Sequence, residues 1–207
     1  MTEERRVHKN YQSYFDEKYW QKQYFVMPGE CYCSNESNEI IVSETGAGVI
    51  ICMYDIEAHI GGMAHVLIPE TLIKNFKDHK DHSEDIIACA KAPLENLIKE
   101  MKFKGAGKKR INIRLSGGAT IMNDDFDMGL KNVVFAQNEI IEKGLKLISQ
   151  DVGGENCRRV NFFPYTGRME KFPLRRESDQ KELWRREREY LQQVKEKFGF
   201  HDNKPDH

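Results

Sequence analysis

Hydrophobic positions cluster in short runs between glycine-containing turns. Val49 to Tyr54 is an unbroken apolar run, the pattern of a strand buried on both faces. Ile40 to Val42 predicts a strand before it, and His65 to Ile68, ended by Pro69, a strand after it. Gly46 and Gly48 read as one turn, and Gly61-Gly62 as a second turn that delivers His65. Ile87, Ala90, Leu94, Leu97, Ile98 and Met101 form one helical stripe with Ile86, and Pro93 inside it predicts a kink or a restart. Ile111, Ile113 and Leu115 alternate as a half-buried strand before the turn at Ser116-Gly117-Gly118. Asn132 to Lys143 predicts a helix closed by Gly144, followed by strands at Leu145–Gln150, Val160–Phe163 and Met169–Leu174. Non-repeating strands with two main helices indicate an α+β fold.

Both ends depart from this pattern. Tyr11, Tyr14, Phe15 and Tyr19 fall at helical spacing, so an N-terminal helix packed on the domain is expected, with a partner-binding arm as the alternative. Glu177 to Phe198 predicts a strong helix with Leu183, Trp184, Tyr190, Leu191, Val194 and Phe198 on its apolar side. It serves either as a packed element or as a recognition helix. The segment from Thr71 to Ser83 and the acidic cluster Asn123–Asp127 read as solvated loops.

Composition narrows the classes. Thirty-two basic and 33 acidic side chains in 207 residues leave a formal charge of -1, without the basic excess that nucleic-acid binding uses. No apolar run reaches the roughly 18 residues of a membrane span, so no membrane insertion is expected. The polar N-terminus does not read as a signal peptide, and the expected location is the cytoplasm. Cys31, Cys33, Cys52, Cys89 and Cys157 lack the spacing of a zinc site and are expected as reduced thiols. No cofactor or metal is expected.

Candidate chemistry gathers around Gly46–Gly48 and His65. A glycine turn before a buried strand exposes backbone N–H groups, a natural oxyanion hole when a nucleophile stands on it and otherwise a plain turn. His65 is correspondingly either a catalytic base or a hydrogen-bonded structural histidine. Arg158 and Arg159 are either an anion site or partners of acids on the sheet surface.

The ordered motifs carry a family resemblance. Pro28-Gly29-Glu30 comes first, followed by Gly46-Ala47-Gly48 leading to Met53-Tyr54-Asp55, and then Gly61-Gly62-Met63-Ala64-His65. Ser116-Gly117-Gly118-Ala119 and Lys131-Asn132-Val133 follow, and Gly153-Gly154 precedes the run from Arg158 to Arg168. Across most of residues 24–174 the chain resembles the CheD chemoreceptor glutamine deamidases. The resemblance implies a layered sandwich of β-sheet and helices over 24–174. An N-terminal helical extension (1–23) and a C-terminal helix and tail (175–207) would flank it.

It also implies a reaction. In that family a cysteine attacks the side-chain amide of a receptor glutamine, ammonia leaves, and water releases glutamate. A histidine activates the thiol, and an upstream threonine orients the pair. The histidine corresponds to His65, the cysteine to Gly48 and the threonine to Val42. Gly48 has no side chain to attack with, and Ala47 stands where the family has serine, which together with Val42 reads as decay of a site. Cys52 shares the face of position 48 but lies about 13 Å along the strand. Cys157 is the remaining thiol that could fold over the site. The resemblance thus implies a chemotaxis adaptation protein with impaired or absent deamidation. The alternatives are a non-catalytic adaptor and a thiol hydrolase using Cys157. Implied partners are methyl-accepting receptor helices and a CheC-like phosphatase.

Overall fold

The computed structural model describes residues 12–68, 83–120 and 127–198. The loops read at 71–83 and 123–127 fall almost wholly outside these residues. The described residues form ten strands and three α-helices, an α+β fold. One sheet has the order β1-β2-β4-β9-β10, built from Ser13–Asp16, Gln21–Phe25, Glu39–Thr45, Arg158–Phe163 and Arg168–Pro173. The second has the order β3-β6-β5-β7-β8, from Cys31–Ser34, Ile60–Val66, Val49–Asp55, Asn112–Gly117 and Lys146–Val152. The helices are α1 (Ser83–Phe103), α2 (Met128–Glu142) and α3 (Glu177–Lys197).

Side-chain alternation sorts the core into two layers. Ile50 and Cys52 of β5 with Met63 of β6 meet Ile41, Val160 and Phe162 of the first sheet, which joins the sheets face to face. The opposite parity of β5, Val49, Ile51 and Met53, packs under Leu94, Leu97 and Met101 of α1 and Val133, Ala136 and Ile140 of α2. β5 is therefore covered on both faces, as its unbroken apolar run requires.

Three expectations change. Tyr14, Phe15 and Tyr19 lie on a β-hairpin, not a helix, while Tyr11 falls outside the described residues: β1 pairs antiparallel with β2, and β2 pairs in parallel with β4 from Lys22↔Glu39 to Phe25↔Val42. The sheet edge offers backbone partners that outweigh the helical spacing. Asp16 accepts from the amides of Lys18 and Tyr19 in the connecting turn. Tyr19 then packs edge-on against Phe163, and Tyr24 stacks on Tyr32. A boundary at residue 23 consequently cuts through β2. Second, Gly61 and Gly62 lie inside β6 and form no turn. A Cβ at Gly61 would stand 2.5 Å from the Pro164 carbonyl oxygen, and one at Gly62 would stand 2.3 Å from Leu97 Cδ1. These glycines permit close packing on both faces of the strand. Third, α1 runs as one helix through Pro93 and does not break and restart there. The expected C-terminal helix is present as α3, and Gly144 takes the left-handed conformation after α2 at φ 63°.

Candidate functional site

The two sheets converge on the turn between β4 and β5, and several of the sequence motifs brace it or the adjoining His65 strand. Gly118 N–H donates to the Gly48 carbonyl at 2.7 Å, and Ala119 N–H to that of Gly46 at 2.7 Å. Gly117 has a φ of 128°, and a Cβ there would stand 2.3 Å from the Gly48 oxygen. Gly153 N–H in turn donates to Gly117 O, and Arg158 clasps this connection through the carbonyls of Asp151 and Gly153. His65 is held from the Pro28-Gly29-Glu30 side, where its N–H donates to Glu30 O and its carbonyl accepts from Gly29 N–H. Asn132 fixes the end of β6 by accepting from Ile68 N–H at 2.8 Å.

His65 is fully buried and points between the sheets. Ser43 Oγ donates to the Val26 carbonyl at 2.7 Å, so its lone pair faces His65 Nδ1 at 3.1 Å. That places the proton on Nδ1 and leaves Nε2 as the free base. Nε2 is buried without a hydrogen-bond partner among the described residues. It faces position 48: a Cβ on Gly48 would stand 2.6 Å from Nε2 and 2.9 Å from Thr45 Oγ1.

The residues named from sequence separate accordingly. His65 and Gly48 are brought together. Val42 faces the other side of β4, with Ile40 and Phe163. The hydroxyl on the imidazole comes from the next residue, Ser43. Cys157 is buried with Leu174, Leu183 and Trp184, and burial raises its pKa, the reverse of an activated thiolate. Arg159 pairs with Glu44 at 3.2 Å, and Glu44 also holds Arg186 of α3 at 2.6 Å.

A further residue comes from outside the expected set. Glu187 of α3 is 4% exposed and sets its carboxyl group into the β4–β5 turn. Its Oε1 accepts from Gly46 N–H at 2.8 Å, Gly48 N–H at 3.3 Å and Thr45 Oγ1 at 3.4 Å. Oε2 accepts from Ala47 N–H at 3.3 Å. Burial raises the pKa of Glu187 against the pull of these donors. Tyr190, one turn along, packs so closely on Gly29 that a Cβ there would stand 2.4 Å from its ring. Leu183 anchors the other side. The amide nest is thus formed and occupied by the chain's own helix.

Burial also sets a pH dependence. It lowers the His65 pKa from 6.5 to about 3, so the folded protein holds a neutral imidazole. Below pH 6.5 the unfolded chain takes up a proton that the fold refuses. Stability is therefore complete above that pH and lost as pH falls toward 3. Between pH 7.5 and 5 this group accounts for a loss of about 2 kcal/mol. Urea unfolding of His65→Gln at both pH values should show an acid-induced loss smaller by that amount.

Comparison with known proteins identifies the family. The family model described as CheD chemotactic sensory transduction matches residues 68–171. A relative from Zymomonas mobilis, named as a probable chemoreceptor glutamine deamidase CheD, is 36% identical over 142 residues. That alignment covers 69% of this chain and 75% of the relative. Relatives of the same name from Rhodopseudomonas palustris and Halorhodospira halophila are each 29% identical. They cover 82% and 86% of this chain and 77% and 84% of their own lengths. The chain belongs to the CheD family.

Proposed function

We propose that the chain acts in chemotaxis adaptation as a receptor-binding CheD protein whose impaired glutamine deamidation has fallen to the level of the uncatalysed reaction. The observation that carries this reading is position 48. The free Nε2 of His65 is aimed at it, a hydroxyl orients the imidazole, and backbone donors surround it, but no side chain stands there to attack an amide. Loss of a nucleophile leaves an enzyme only what binding and oxyanion groups contribute. Glu187 adds to the argument, because its carboxyl group holds the donors that an oxyanion would need. The cysteine alternative has less support, since Cys157 is packed beneath α3 with a raised pKa.

The partner on this reading is a chemoreceptor, as the names of the relatives suggest, engaged through the methyl-accepting helices that the sequence resemblance implies, and the protein works in the cytoplasm. No helix among the described residues is long and apolar enough to cross a membrane. Calorimetric titration of a glutamine-bearing receptor fragment into the wild-type protein tests the partner. Saturable binding is expected without ammonia release during the titration. Absence of binding to either the glutamine or the glutamate form of the fragment would overturn the receptor reading.

A further inference from the structure

The amide nest has a chemistry of its own. Gly46, Ala47 and Gly48 each present an N–H, and Thr45 adds a hydroxyl, so the hydrogen-bond partners of the Glu187 head among the described residues are all donors. The donors divide between the two branches of that head, with Ala47 N–H on one oxygen and the rest on the other. A carboxyl group has an acceptor lone pair on both oxygens. A carboxamide has none on its nitrogen, and its NH2 would face the Ala47 N–H, donor against donor. A buried donor left without an acceptor costs about 1–3 kcal/mol.

We propose that this nest is a glutamyl-carboxyl site, occupied in cis by Glu187 and taken in trans by a glutamate on a partner helix that displaces α3. Resting on the receptor reading above, the proposal makes the partner the glutamate form of the receptor helix, the acid that deamidation yields, in preference to its glutamine form. α3 already shows how a helix reaches the nest. Leu183, Glu187, Tyr190 and Val194 lie on one face, at steps of four, three and four, so a single acid is set between apolar anchors. With Glu187 in place the nest is closed, because Ser43, Thr45, Ala47 and His65 are all buried beneath it. Apparent affinity for an outside helix is reduced by the fraction of molecules in this closed state.

Two measurements test the proposal, and the first needs no receptor. Glu187→Ala leaves a space the size of acetate, so acetate should raise the Tm of this variant by several degrees more than that of wild type. Acetamide should give no such difference. Equal responses to acetate and acetamide would overturn the carboxyl site. The second measurement compares receptor fragments carrying glutamate or glutamine at the same position. Glu187→Ala should bind the glutamate form about tenfold more tightly than wild type does, and more tightly than it binds the glutamine form. Glu187→Gln keeps the bulk of the side chain and stands in if the alanine variant does not fold. It too should bind the glutamate form more tightly than wild type, and an unchanged affinity would overturn displacement. If acetate acts selectively but neither fragment binds, the carboxyl site stands and the receptor as its partner is overturned.

Discussion

Gly48→Cys alone is expected to restore little deamidation, whereas Gly48→Cys with Glu187→Ala should exceed wild type by about a thousandfold or more. A cysteine Cβ at position 48 would stand 2.6 Å from His65 Nε2, so the imidazole must move before the thiol fits. Both lie in a fully packed region, where such insertions typically cost about 1–3 kcal/mol. Even a well-placed thiolate then meets a turn whose three N–H groups are bound to Glu187. Removing a single oxyanion donor from a working enzyme costs about 10²–10³ in rate, so leaving all three occupied is enough to mask the thiol. Ammonia release from a glutamine-bearing receptor fragment measures both variants. A single variant as active as the double would show that Glu187 does not obstruct the site. A folded but inactive double variant would show that the remaining geometry no longer supports the reaction.

Leu183→Asp is expected to release α3 and expose the nest without unfolding the sheets. Leu183 is 1% exposed among Cys157, Leu174 and Trp184. Burying a leucine is worth about 1.5–3 kcal/mol, and an unpaired carboxylate in its place adds a desolvation penalty, so helix docking should weaken by about 3–5 kcal/mol. The amides of Gly46, Ala47 and Gly48 have the Glu187 carboxylate as their acceptor, so their hydrogen exchange should accelerate by about a hundredfold or more. Cys52 and Met53, central in β5, should keep their protection. Slow exchange at Gly46–Gly48 in this variant would mean that the nest is closed by something other than α3.

Much of the fold is legible in the sequence because burial patterns are local. The apolar run of β5, the alternation of β7 and the long C-terminal helix each declare themselves. The N-terminal hairpin does not, since what decides it is pairing with β4, many residues away. Gly61 and Gly62 read as a turn because sequence shows conformational freedom but not the Pro164 backbone and Leu97 that press on the strand. Val42 and Ser43 illustrate parity: adjacent strand residues face opposite sides, and Ser43 shares its face with Ile41 and Thr45. Glu187 was concealed by its setting, an arginine- and glutamate-rich stretch that reads as solvated. Its signal is positional, an acid in line with Leu183, Tyr190 and Val194 on the apolar face.

The most direct test of the account is whether the wild-type chain deamidates at all. Intact-mass measurement of a glutamine-bearing receptor fragment, incubated with excess protein beside a protein-free blank, reads conversion of amide to acid at every site. The account predicts no conversion beyond the blank. Conversion that scales with protein concentration would contradict it and would mean that a nucleophile other than residue 48 serves His65.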